Sequence, residues 1–387
     1  MMRSVELFTG AGGLALGASL AGFKHDVLVE WNKDACETLR QNRTHKLAKK
    51  WTVQEGDIAK FDFRTISPDV DLLAGGPPCQ PFSIGGKHKG MDDKRNLFPE
   101  YFRAVRVLTP KALIIENVRG LTRKAFSSFF EYIKLSLTYP ELAQRHGEDW
   151  SSHHRRLQQH HTSGSSHGSE LTYNVLARVL NAADYGTPQV RWRVVFVGFR
   201  SDVAAEWSFP EPTHSAGALI LDKWHTGDYW DRHGIAKKHR PKRPDVSDRL
   251  LESLIANGVA EEPWRTVRDA LADLPDPQGY SGNLMNHIYQ GGAKAYPGHS
   301  GSPLDKPAKA LKAGVHGVPG GENMIAYPDG TVRYFTVREA ARIQTFPDDY
   351  LVTGAWGEAM RQLGNAVPVC MGEAVARHVA KQLRMAC

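Results

Sequence analysis

The chain has 387 residues, 41% hydrophobic and 24% charged, the balance of a soluble globular protein long enough for two or three domains. It carries no apolar run long enough to cross a bilayer and no secretory pattern at its amino terminus, so neither a membrane span nor export is expected. Four cysteines without paired spacing (Cys36, Cys79, Cys370, Cys387) argue against a disulfide framework or a zinc site and for a reducing cytoplasm, while a formal charge of +7 favours a polyanionic partner.

Residues 4–8 read as a strand, and Thr9-Gly10-Ala11-Gly12-Gly13 turns it into a helix over 14–21. Glycines there let backbone N–H groups approach a ligand at a helix N-terminus. The next strand, 26–30, ends in Glu30, 18 residues after Gly12, near the offset at which a carboxylate meets ribose hydroxyls. Trp31 beside it is either a stacking partner for an adenine or a core residue. Asp57 follows a short strand at 52–55. Strand, helix and strand repeated in this way predict a parallel, doubly wound sheet.

A further strand at 70–74 runs into Gly75-Gly76-Pro77-Pro78-Cys79-Gln80-Pro81. The glycines and prolines stop any continuation as helix or strand, leaving a cysteine at the carboxyl end of a strand, where open α/β sheets bind ligands. The polar, glycine-rich stretch 83–96 reads as a mobile loop over a site. A helix over 97–108 and a strand over 112–115 then deliver Glu116-Asn117-Val118 to the same sheet edge. A glutamate there is a solvated carboxylate or, beside a cysteine loop, an acid held protonated by desolvation.

Residues 141–170, rich in histidine and serine without fixed ligand spacing, read as a flexible surface insertion. Gln189-Val190-Arg191-Trp192-Arg193 leads into a strand at 194–198, and alternation puts Arg191 and Arg193 on one face. From 199 to 332 the α/β rhythm disappears; its densest basic run is Lys237-Lys238-His239-Arg240-Pro241-Lys242-Arg243. A helix over 336–344 follows, with Thr336 as N-cap and Glu339 completing a capping box. Gln362-Leu363-Gly364-Asn365-Ala366-Val367-Pro368 precedes a last amphipathic helix over 371–383.

Phe8 to Gly13, the Pro-Pro-Cys-Gln loop, Glu116-Asn117-Val118, Gln189-x-Arg191-x-Arg193 and the 362–368 stretch resemble, in order, the motifs of the DNA (cytosine-5)-methyltransferases of bacterial restriction–modification systems. The resemblance covers roughly residues 3–200 and 333–385. It implies an α/β fold: a doubly wound mixed sheet of the S-adenosylmethionine-dependent methyltransferase (Rossmann-like) type, with a smaller, irregular target-recognition domain. The catalytic domain would take residues 1–199, with the insertion at about 141–170, and resume over 333–387; the recognition domain would take 200–332.

Carried over by position, Cys79 would be the nucleophile, Glu116 and Arg193 would bind the target base, and Arg191 would steady the site. For the cofactor, Phe8 would line the adenine and Gly10, Gly12 and Gly13 would admit the methionine moiety. Glu30 would hold the ribose, Trp31 would stack, and Asp57 and Ile58 would meet the adenine edge. Pro78 would lie beside the cofactor, and Asn365 and Ala366 belong to the motif that closes over it. The recognition domain often carries a Thr-Leu pair; Ala310-Leu311 takes that place without the threonine, so no base-reading residue is assigned.

The implied reaction moves a methyl group from S-adenosylmethionine, giving S-adenosylhomocysteine, to C5 of a flipped-out cytosine in a specific duplex sequence. It proceeds through a Cys79–C6 adduct and needs no metal. The implied setting is a monomer in the bacterial cytoplasm, acting on double-stranded DNA, away from membranes, beside a separate cognate restriction endonuclease. An RNA cytosine-5 methyltransferase of the same fold would carry the same motifs; the long 199–332 segment favours DNA.

Overall fold

The computed structural model describes residues 2–78, 96–163, 171–203, 206–243, 246–313 and 322–386. The chain divides into two compact units: one of Met1–Leu180, Trp192–Phe209 and Gly372–Cys387, the other of Asn181–Arg191 and Pro210–Met371.

The first unit is built on a seven-stranded sheet. Its strands are β1 (Met2–Leu7), β2 (Phe23–Glu30), β3 (Val53–Glu55), β4 (Leu72–Gly75), β5 (Ala112–Val118), β6 (Tyr173–Asn181) and β7 (Trp192–Arg200), in the order β3-β2-β1-β4-β5-β7-β6. From β1 the chain winds outward one way through β2 and β3, and the other way through β4 and β5. All of these neighbours pair in parallel. The point where the winding reverses, between β1 and β4, is where such sheets bind ligands, outside the carboxyl ends of the strands. β7 pairs antiparallel to β5, which makes the sheet mixed and sets Val118 opposite Arg193.

The parallel strands are nearly continuous apolar runs because both their faces are covered. Val5, Leu7, Leu72, Leu73, Ala74, Leu113 and Ile115 are all buried. At Gly75 an added Cβ would come within 2.6 Å of the Leu7 carbonyl oxygen, so the end of β4 admits only glycine.

Helix α1 spans Gly13–Leu20, α2 Lys33–Gln41, α3 Phe98–Leu108 and α4 Ser127–Thr138. The polar stretch expected as a flexible insertion folds in part as a helix, α5 (Trp150–Ser163), which corrects the sequence reading. His153, His154 and Leu157 lie on one buried face of α5. His153 contacts the edge of the Tyr132 ring, and His154 lies nearly parallel to Trp150. Composition counts histidine as polar, whereas the imidazole has an apolar body that packs once its nitrogens are bonded.

The second unit contains short elements, among them a three-stranded sheet of Ser302–Pro303, Met324–Ala326 and Val332–Tyr334. Its helix Val337–Ile343 starts with the capping box that the sequence indicates: Thr336 caps it and the Glu339 side chain accepts from the Thr336 N–H. By its contacts this unit runs on to Met371, past residue 332, where the sequence reading ended the recognition domain. The final helix spans Val369–Met385.

Candidate active site

β1 ends in a turn whose backbone is left-handed at Phe8 (φ 58°), Gly10 (φ 57°) and Gly12 (φ 88°). A phenylalanine in that region is uncommon, and such strain gathers at functional turns. It is held by the Phe8 N–H donating to the Val29 carbonyl at 2.9 Å. An added Cβ at Gly10 would meet nothing within 4 Å, so the backbone here faces open space. Glu30, at the end of β2, takes the Gly10 N–H at 2.8 Å on one carboxylate oxygen. Its other oxygen takes the N–H groups of Trp31 and Asn32 at 3.0 and 2.8 Å.

Trp31 is 72% exposed, which rules out the core reading of this tryptophan. Asp57 caps a single turn at Ile58–Lys60, accepting from the Ala59 N–H at 3.0 Å. The Ile58 side chain is buried in the core. Phe8, Gly10, Gly12, Gly13, Glu30, Trp31, Asp57 and Ile58 therefore gather at the carboxyl ends of β1, β2 and β3.

A second cluster forms at the ends of β4 and β5 and the start of β7. Glu116 and Arg193 make an ion pair at 2.6 Å, with side chains 10% and 16% exposed. Glu116 is thus paired with a guanidinium and largely withdrawn from solvent. Its carboxylate lies under Gly76, where an added Cβ would come within 3.3 Å of it. Asn117 donates to the Pro77 carbonyl at 3.0 Å and so fastens the chain just before Pro78. Neither Gly76 nor Asn117 had been assigned a role; an amide following the strand-end glutamate was the signal for the second. Cys79 and the expected loop, apart from Asn96, lie outside the described residues.

Arg191 and Arg193, one residue apart, hold different partners. Arg191 belongs to the second unit and is 1% exposed, donating to the Leu311 carbonyl at 3.0 Å and to the Gly364 carbonyl at 2.5 Å. Gln189 accepts from the Leu311 N–H at 2.9 Å and donates to Gln344 at 2.9 Å. Gln344 in turn donates to the carbonyls of Leu363 and Ala366. This buried network fixes the segment around Leu311 and the turn holding Asn365, which is exposed, and Ala366, which is buried. At Gly364 a Cβ would lie 2.3 Å from the Ala313 nitrogen, so glycine is obligatory there.

Cys36 is buried, and its thiol is pushed up to about 12, first by burial and then by the charge of Glu30. A thiol so held is a poor nucleophile.

The family model for C-5 cytosine-specific DNA methylases matches residues 2–139 and 153–381. The chain belongs to this family. As a C-5 cytosine-specific DNA methylase it is an enzyme, and its curated relatives are type II methyltransferases of restriction–modification systems. It is 34% identical to the type II methyltransferase M.Eco47II of Escherichia coli over 98% of this chain and 79% of that protein. Identity to M.NgoMIV of Neisseria gonorrhoeae is 31%, over 98% of both. Among solved structures, the Schizosaccharomyces pombe Dnmt2 methyltransferase superposes with a TM-score of 0.57 at 19% identity, covering 100% of this chain and 99% of that one. A Spodoptera frugiperda DNMT2 variant gives 0.56 at 15%, covering 99% and 100%; these two matches speak for the fold. Among the described residues of this methylase, no helix is long and apolar enough to cross a membrane.

Proposed function

We propose that this enzyme methylates C5 of a cytosine flipped out of a specific duplex DNA sequence, with Cys79 as nucleophile and S-adenosylmethionine as methyl donor. The observation that carries the reading is the Glu116–Arg193 pair beside Gly76 and Pro77.

Cytosine C5 is too weak a nucleophile to take up a methyl group unaided. Addition of the Cys79 thiolate to C6 makes C5 the nucleophilic end of an enamine. The displaced electron density moves toward N3 and O2, which are adjacent acceptors on one edge of the ring. Arg193 donates to O2, while Glu116, entering the step protonated, gives its proton to N3 and is left as a carboxylate beside Arg193. Once C5 carries the methyl group, it loses its proton, the C5–C6 double bond re-forms and the thiolate leaves. A base stacked in a duplex exposes neither face to a thiol, so the target leaves the helix first.

The turn at the end of β1 fits the donor. It has an open glycine backbone at Gly10, an oriented carboxylate at Glu30 for two ribose hydroxyls, and an exposed indole at Trp31 for the adenine. Phe8, Gly12, Gly13, Asp57, Ile58 and Pro78 complete the residues of the first unit that would hold it. When bound, S-adenosylmethionine supplies the electrophilic methyl carbon. Arg191 acts by positioning the Leu311 and Gly364 backbone.

Incubation with tritiated S-adenosylmethionine and duplex DNA, tRNA or no acceptor tests the reading. Label in duplex DNA, mapped to cytosine C5 by bisulfite sequencing, is expected. Label in tRNA alone would replace it with the RNA enzyme of the same fold.

A further inference from the structure

Behind α3 and α4, on the first unit, lies a cavity of about 210 Å³ that contains none of the residues assigned to catalysis or cofactor. One wall is formed by Pro140, Leu142 and Gln144, in a stretch that the family match passes over between residues 139 and 153.

Most polar groups around it are satisfied. Arg103 binds Glu100 at 2.7 Å, donates to the carbonyls of Phe61 and Ile58 at 3.0 and 2.7 Å, and lies over the Phe63 ring. His153 Nε2 lies 2.6 Å from the Leu142 carbonyl, so that nitrogen carries the hydrogen. Its Nδ1 then accepts from the Tyr132 hydroxyl at 3.0 Å. Burial lowers the His153 pKa, consistent with a neutral ring.

Two groups stand apart. Arg106, on the same face of α3 as Arg103, lines the cavity half-buried, and among the described residues its guanidinium has no hydrogen bond or ion pair. Burial disfavours its charge and Arg103 adds to that, while Tyr132 and the Glu100 carboxylate, which Arg103 already neutralises, oppose it. On α4, the Ser136 hydroxyl lines the same cavity, is 5% exposed and has only the Tyr132 oxygen near it as a poorly aligned acceptor. A half-buried cation without a hydrogen bond and a buried hydroxyl with only a poorly aligned one each cost free energy that a ligand can restore. The guanidinium is a planar fork that fits a carboxylate or phosphate with two parallel bonds. Pro99, Phe102 and Leu142 offer apolar wall to whatever carries the anion.

We propose that this cavity binds the oxyanionic group, phosphate or carboxylate, of a small molecule with a compact apolar body, Arg106 and Ser136 supplying the donors. The inference is independent of the methylation chemistry.

Calorimetric titration of the full-length protein tests it, with phenyl phosphate as probe, inorganic phosphate as the body-less control and sodium chloride at matched ionic strength. Saturable one-to-one binding of phenyl phosphate, tighter than inorganic phosphate and absent with chloride, is expected. Arg106→Gln should weaken it about tenfold or more, Arg106→Lys by less, and Ser136→Ala by a few-fold, as for loss of charge-assisted and neutral hydrogen bonds. Preloading with a short DNA duplex separates the sources of such a group. Binding that persists assigns the site to a free small anion, and binding that is displaced assigns it to a backbone phosphate. No saturable heat in the wild-type protein, or equal affinity in folded Arg106→Gln, would overturn the proposal.

Discussion

Arg191 and Arg193 are separated by one residue, yet they belong to regions with opposite logic. Arg193 lies at the start of β7 in the first unit, paired with one carboxylate at the mouth of the strand-end cluster. Arg191 lies in the second unit, fully buried, its two terminal nitrogens donating to the backbone carbonyls of Leu311 and Gly364. The first arrangement leaves a charged pair that a base edge can engage; the second ties distant segments together. Two arginines of one motif thus hold different partners, a carboxylate for one and backbone carbonyls for the other.

The largest expected effect separates these roles. Arg191→Ala should cost about 3–5 kcal/mol of stability, because it removes a buried cation and strands the carbonyls it served. Denaturant unfolding checks this, and a variant as stable as wild type would mean the network is dispensable. Glu116→Gln, which keeps a hydrogen bond to Arg193 but leaves its charge unpaired, should cost less stability than Arg191→Ala while slowing single-turnover methyl transfer roughly a hundredfold or more, as expected for losing one transition-state contact. Rates within about twofold of wild type would return Glu116 to a structural role.

The surface charges of the second unit sharpen the contrast further. In the basic run, Arg240 is paired with Asp231 and Arg243 with Asp248. Lys237, Lys238 and Lys242 are exposed. Changing these three lysines to glutamine should weaken binding to every duplex alike and reduce the salt slope by up to about 2.7. An unchanged slope would mark the run as plain solvated surface.

The smallest effect concerns a buried acid beneath the cofactor turn. Burial, reinforced by Glu30, holds the Glu6 carboxyl well above its usual range, and one of its oxygens has no hydrogen-bond partner. The folded state therefore keeps a proton that the unfolded chain releases at ordinary acidic pH. This term favours folding most below the unfolded value and is lost as pH rises. Glu6→Gln should be more stable than wild type near neutral pH, with the gain shrinking toward pH 4. A gain independent of pH would contradict it.

Much of the first unit was legible because parallel strands buried on both faces read as apolar runs, and their ends are punctuated by Gly75, Gly76, Pro77 and Glu116. The Arg191 network was not. Ala310-Leu311 lacked the expected threonine, yet Leu311 serves Gln189 and Arg191 through its backbone, which leaves no trace in side-chain identity. Helix α5 escaped because its buried face is largely histidine. The Glu116–Arg193 pair was half legible: each residue stood in its motif, but only the antiparallel register of β5 and β7 joins them.

The most direct test of the mechanism is covalent capture. Duplex DNA carrying 5-fluorocytosine at the methylated position cannot release the proton that ends the reaction, so the enzyme should stop as a stable protein–DNA adduct. Peptide mapping is expected to place the adduct on Cys79, with Cys79→Ser forming none while still binding S-adenosylmethionine. An adduct on Cys36 or Cys370, or methyl transfer by Cys79→Ser at the wild-type rate, would contradict the account.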